Sequence, residues 1–284
     1  MPAFPIVDAH VHLWDPANVA MIWIDGNPVL DKKFLPPEFK MHTIGTDIEA
    51  IVYLETGVEP HWAFYEARWA ALELAKSAPK LKAIVAAAPI EYGAKVRSYL
   101  KALTEISPLI KGIRRITQGE KDPAFCLQEN FIQGAQLLHS YNLSCDLCMN
   151  FRQLGPTVEL VKKCPDTQFI VDHISKPNIR ERVLDPWREQ MKAMAALSNT
   201  VCKVSGVLTE AAKEWTVDDV RPYVEHVLTV FGEDRVIFGG DWPVLLMAAT
   251  YPRWVQVLDE ITAKWTDAAK KKLWNTNAKK FYRL

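Results

Sequence analysis

Two hydrophobic periods alternate along the chain. Short apolar runs rich in β-branched residues are each followed by a longer stretch with apolar residues at helical spacing, and the pair recurs eight times. The runs are PIVDAHVHLWDP (Pro5 to Pro16), AIVYLETG (Ala50 to Gly57), LKAIVAAAP (Leu81 to Pro89) and LIKGIRRI (Leu109 to Ile116). LSCDLCM (Leu143 to Met149), TQFIVDHISKP (Thr167 to Pro177), NTVCKVSG (Asn199 to Gly206) and DRVIFGGDWP (Asp234 to Pro243) complete the set. Helices are expected over His61 to Ser77, Ala94 to Ile106, Gln128 to Tyr141, Gln153 to Cys164, within Trp187 to Leu197, and around Val217 to Phe231. Two more are expected at Pro252 to Lys264 and Asp267 to Phe281. Strands alternating with helices imply a parallel sheet, and eight units in 284 residues argue for an α/β fold, a (β/α)8 TIM barrel, over an open doubly wound sheet. No linker or shift in composition divides residues 1–284, so a single barrel domain is expected. The connection Leu13 to Thr46 has no clear period and carries Trp14, Trp23, Phe34 and Phe39. Its length marks it as a loop walling a site.

Polar and ionisable residues gather where the apolar runs end: His10 and His12, Glu55, Arg114 and Arg115, Cys148, His173, Lys203 and Ser205, Asp241. In a barrel of this kind the active site forms at the C-terminal face from the ends of several strands, so this distribution points to an enzyme. Strand alternation would aim Asp8, His10 and His12 to one side. It would aim His173 inward, and Asp172 outward toward the helices. A lone HxH pair would read the same at the solvated end of an edge strand; the other strand ends give it context. Asp241, in FGGDWP, is placed to act as a general base or to join a metal site. A carboxylate there could also cap the next helix. Arg114 and Arg115 face opposite ways if the strand persists, so at most one enters the mouth, where a guanidinium suits a carboxylate or polarised carbonyl. Lys203 and Glu55 are further candidate substrate contacts, each equally readable as a wall ion pair. Trp14 and Trp242, beside the HxH pair and Asp241, complete the candidate substrate-binding set. His42, His61, His139 and His226 fall in loops or helices and are read as structural.

Composition narrows the partners. Lys plus Arg and Asp plus Glu number 34 each, so there is no electrostatic footprint for nucleic acid or an anionic membrane surface. A small molecule fits better, and the oligomeric state is left open. No apolar run reaches the length of a membrane span, and the first residues carry no basic and apolar leader, so a soluble cytoplasmic protein is expected. The five cysteines do not form a disulfide framework, and the isolated Cys145 and Cys148 read as small buried residues.

HxH after the first strand, a histidine after the sixth and an aspartate after the eighth together resemble the amidohydrolase superfamily. VDAHVHLWDP, IKGIRRITQGE, FIVDHISKP, CKVSG, FGGDWPV and NAKKFYRL are similar to its lactonase branch, which includes sugar-acid lactonases and the lactonases of pyrone dicarboxylate and sulfomuconolactone. The resemblance spans the chain. It implies a hydrolase opening a lactone ring, with fucono-, rhamnono- or galactono-lactones favoured, and therefore a place in carbohydrate metabolism. It also implies that His10, His12 and His173 polarise the carbonyl while Asp241 activates water. Binuclear members of the superfamily have a bridging lysine or glutamate after strand four and a histidine after strand five, where this chain reads GIRRIT and DLCMNFRQ. The expectation is therefore no required cofactor, or one divalent ion such as zinc on His10, His12 and Asp241. A zinc-dependent decarboxylase on the same barrel is the alternative, and a barrel that only binds is a remoter one.

Overall fold

The computed structural model describes residues 1–284. Eight strands, β1 (Ile6–Val11), β2 (Ile48–Leu54), β3 (Leu81–Ala87), β4 (Ile110–Arg114), β5 (Ser144–Leu147), β6 (Phe169–Val171), β7 (Thr200–Val204) and β8 (Val236–Phe238), form one sheet in chain order. Every neighbouring pair is parallel. The circle closes just beyond β8: the His12 amide donates to the Trp242 carbonyl at 2.8 Å and the Asp241 amide to the His10 carbonyl at 2.8 Å. The result is a (β/α)8 barrel, with a helix or helical turn in each connection.

Alternation along the strands builds two apolar layers. Val7 and Ala9, Ala50, Val52 and Leu54, Ala83 and Val85, Ile170, Val201 and Ile237 fill the interior. Ala278 and Tyr282, from the helix Asn277–Tyr282, join this cluster. The opposite residues of each strand, among them Ile51, Tyr53, Ile84 and Phe238, pack into a larger core with the surrounding helices. Burying such side chains contributes roughly 1.5–3 kcal/mol each, enough to hold the strand ends rigid.

The long connection after β1 contains a helix that its weak period conceals, Pro36–His42. Proline opens it, and the Leu35 amide donates to the Glu38 carboxylate at 2.9 Å. An antiparallel bridge between Trp14 and Phe34 folds the connection back on itself.

Simple alternation misplaces two acids. Between Asp8 and Val11, β1 spends three steps while β2 spends two, from Ile51 to Tyr53. This bulge turns His10 inward while Asp8 faces away, accepting from Tyr251 Oη at 2.7 Å and the Gly240 amide at 2.8 Å. Asp8, expected beside the histidines, therefore braces the outside of β1. Asp172 is the reverse case. It keeps the inward parity of Ile170, while His173 begins a run of four left-handed residues, His173 to Lys176, in which strand alternation no longer applies.

Candidate active site

Four side chains converge at the C-terminal mouth. His10 Nε2 and His12 Nε2 are 3.2 Å apart, and Asp241 Oδ1 lies 3.6 Å from the first and 3.5 Å from the second. His173 Nε2 stands 3.9 Å from the same oxygen. All four are buried. Backbone shape makes this approach feasible. A Cβ on Gly239 would come within 2.8 Å of His10 Cβ, and one on Gly206, whose φ is +57°, within 2.4 Å of His173 Nδ1. Glycine is therefore required at both places.

Each imidazole is held from behind. His12 Nδ1 lies 3.1 Å from the Leu54 carbonyl, which can only accept, so Nδ1 carries a proton and Nε2 is the nitrogen turned to the mouth. His173 Nδ1 pairs with Ser205 Oγ at 2.9 Å. His10 Nδ1 lies 3.5 Å from Asp172 Oδ1 and 3.3 Å from Lys203 Nζ. Burial pushes His173 down to about 4 and, with the Lys203 charge, lowers His10 well below its ordinary value, so both rings are neutral at pH 7. Burial opposes ionisation of Asp241, but the imidazoles of His173, His12 and His10 outweigh it and hold the carboxyl well below the usual carboxylate range. The mouth thus holds one ionised carboxylate beside the neutral rings of His10 and His173.

Below it lies a belt of alternating charge. Lys203 Nζ contacts Asp146 Oδ2 at 2.6 Å and Asp172 Oδ1 at 2.9 Å. Arg114 contacts Asp172 Oδ2 at 3.3 Å, Glu55 Oε1 at 2.5 Å and the Glu55 carbonyl at 2.6 Å. Tyr282 Oη donates to Asp146 at 2.5 Å. Burial opposes charge on Asp172, yet Lys203 and His10 hold it ionised, well below its ordinary value.

These contacts sort the candidate substrate-binding residues. Lys203 is fully buried and divided between two carboxylates, so it braces the site from beneath instead of facing a ligand. Glu55 is occupied by Arg114 and by the Gly57 amide at 2.7 Å. Arg114 is the inward arginine, although its donors point into the belt. Arg115 faces outward to Glu91 at 2.9 Å and Glu120 at 2.7 Å. Trp14 backs His12, with ring centres 6.3 Å apart, and donates to the Lys32 carbonyl. Trp242 is turned into the outer wall against Phe34, Phe39 and His42. Sequence reasoning passed over Asp146, turned Asp172 outward, and met Ser205 only as a strand-end polar residue without a role. Asp146 and Lys203 share the inward parity of their strands, and that pairing of opposite charges was the available signal.

The donor set suits a divalent ion. Ligand atoms about 2.0–2.1 Å from a tetrahedral zinc lie about 3.3 Å from one another, and the triangle of His10 Nε2, His12 Nε2 and Asp241 Oδ1 has sides of 3.2, 3.5 and 3.6 Å. The contacts of His12 Nδ1 with a carbonyl and His10 Nδ1 with a carboxylate are the partners that metal-binding imidazoles use.

A parallel barrel with histidines and an acid gathered at its C-terminal mouth belongs to the class of barrel hydrolases. Within that class, the amidohydrolase family model matches residues 7–284, and the chain is a member of this family. It is 29% identical over 297 residues to L-fucono-1,5-lactonase of Burkholderia multivorans, covering 98% of this chain and 96% of that one. It is 26% identical to L-rhamnono-gamma-lactonase of Scheffersomyces stipitis over the full length of both. Two crystal structures of an amidohydrolase from Burkholderia multivorans cover 99% of this chain and all of theirs. One, with HEPES bound, has a TM-score of 0.87 at 26% identity, and the other, with zinc bound, 0.88 at 25%.

Proposed function

We propose that this protein hydrolyses a lactone, with sugar-acid lactones of the fucono, rhamnono or galactono type favoured, using water activated by Asp241. The observation that carries the reading is the meeting of one ionised carboxylate with three imidazole nitrogens within 3.9 Å of its Oδ1. The names of the two lactonase relatives support the substrate class.

Asp241 takes a proton from water as the water oxygen bonds to the lactone carbonyl carbon. Negative charge then develops on the former carbonyl oxygen. His173, positioned through Nδ1 by Ser205, turns Nε2 to that oxygen as a donor; one such preorganised donor is worth roughly 3 kcal/mol in a water-poor site. Collapse breaks the ring C–O bond, and the proton on Asp241 passes to the leaving oxygen, giving a hydroxy acid. His10, His12 and Asp241 would hold a divalent ion, which when bound supplies Lewis acidity and lowers the pKa of water. Asp172 and Lys203 fix the tilt of His10 throughout.

A panel of aldonolactones and aromatic-pathway lactones, read by proton release with a pH indicator, tests this. Turnover of at least one hydroxylated lactone well above the spontaneous rate is expected. Absence of turnover across the panel, with or without added zinc, would refute the reading.

A further inference from the structure

Trp14 and Trp242, the aromatic residues nearest the histidines and Asp241 in sequence, are 3% and 0% exposed, so neither offers a face to a ligand. Trp23 is 47% exposed. It lies in the helical turn Ile22–Ile24. Met21 and Ile24 pin the two ends of this turn into the core and leave Ile22 and Trp23 turned outward.

Polar contacts place the Trp23 ring at the mouth. Its Nε1 donates to the Thr56 carbonyl at 2.9 Å, two residues beyond the Leu54 carbonyl that holds His12 Nδ1 at 3.1 Å. Imidazole and indole thus hang from the same strand end, the indole further out. A Cβ on Gly57 would come within 3.2 Å of Trp23 Nε1 and 3.6 Å of Ile116 Cδ1, so the indole lies across the end of β2 on the side of β4. Further along the same loop, Asn27 Nδ2 meets Met247 Sδ at 3.7 Å, beyond β8. The segment 23–27 therefore bridges from the end of β2 to the loop after β8, over the end of β1, which stands between those strands and carries His10 and His12. Trp14 joins the two levels, its ring centre 6.3 Å from that of His12 and 5.8 Å, edge to face, from that of Trp23.

We propose that Trp23 is a specificity-determining residue, the platform on which the substrate ring lies, and that it selects a lactone with adjacent C–H bonds on one face. The indole N–H is already spent on Thr56, so only the ring's faces remain for a ligand. Those faces carry the negative side of the aromatic quadrupole, which attracts the weakly positive hydrogens of carbons bonded to oxygen and repels hydroxyl oxygens. Exposed Ile22 beside it, and Met247 at the far end of the bridge, extend the apolar edge. Within the sugar-acid lactones this favours six-membered rings of galacto configuration, in which the hydrogens of C3, C4 and C5 lie together. In their C4 epimers the C4 hydrogen crosses to the other face and breaks the patch. The inference rests on the lactonase reading and goes further by naming the residue that reads ring configuration.

The test needs no turnover: calorimetric binding of L-fucono-1,5-lactam, which has the continuous C–H face, against its C4 epimer. Wild type should prefer the first by about 3- to 10-fold, the range of a specific aromatic contact. Trp23→Leu keeps apolar bulk without a flat face and should bring the two lactams level. Trp23→Phe keeps a flat face without the N–H and should restore most of the preference. No preference in wild type, one that survives Trp23→Leu, or one that a folded Trp23→Phe protein loses, would overturn the platform. In rate measurements on L-fucono-1,5-lactone the loss in Trp23→Leu should be carried by KM, because the platform touches no reacting atom; an unchanged KM with a lowered kcat would overturn it. If wild type shows the Trp23-dependent preference but hydrolyses no lactone, the lactonase reading fails while the platform stands.

Discussion

Lys203 and Asp172 form an ion pair of 2.9 Å in which neither side chain is exposed, and the same ammonium reaches Asp146 at 2.6 Å. Removing one partner of a buried network leaves uncompensated charge. Lys203→Met should therefore lower unfolding free energy by about 3–5 kcal/mol in urea titrations. A loss below about 1 kcal/mol would mean that the two carboxylates relax to water or become protonated without penalty.

The two adjacent arginines should behave differently. Arg114 is buried among Glu55, Asp172 and His10, whereas Arg115 is a quarter exposed and pairs with Glu91 and Glu120. Arg114→Met should destabilise strongly and reduce turnover through the displaced His10. Arg115→Met should cost about 1 kcal/mol or less and leave turnover within a fewfold of wild type. Parallel urea titrations and rate measurements decide this, and equal effects of the two changes would contradict it.

How far the sequence foretold these relationships depended on how regular the backbone stayed. All eight strands and the helix Val217–Phe231 follow directly from apolar period, because that period is the physical cause of their burial. His10, His12, His173 and Asp241 were legible as strand-end polar residues, and the barrel brings them together. Asp8 and Asp172 were misread because a bulge in β1 and the left-handed run after β6 break the rule of two. The roles of Lys203 and Glu55 were illegible for a different reason. Whether a charge faces a ligand or a buried counter-charge depends on partners on other strands, and spacing along one strand does not reveal them.

Glu66 offers a pH-dependent test away from the mouth. Burial, aided by repulsion from Glu55, pushes its carboxyl up to about 7 from an ordinary 4.5. Its Oε1 accepts from Tyr53 at 2.9 Å and from the Thr56 amide and hydroxyl at 2.7 Å each, while Oε2 has no partner. The folded chain keeps this proton between about pH 4.5 and 7 while the unfolded chain releases it. Its contribution to stability therefore falls as pH rises through that window, by up to about 3 kcal/mol. Glu66→Gln retains the acceptor and removes the charge, so its advantage over wild type should be larger at pH 8 than at pH 5 in urea titrations. A constant difference across that range would contradict the assignment.

The metal triangle has its own readout. Zinc added to metal-stripped protein should bind at one equivalent, and His12→Ala should weaken it by roughly 100-fold or more because one of three protein ligands is lost. Calorimetry measures this without turnover. Equal affinity in the variant would place the ion elsewhere.

The central claim is that Asp241 moves the proton of the attacking water. The most direct measurement is the steady-state rate of Asp241→Asn on the best lactone of the panel, with circular dichroism to verify the fold. The amide keeps the shape but cannot accept the proton, so kcat should fall on the order of 100- to 10,000-fold with the fold intact. A kcat within a fewfold of wild type would contradict the account.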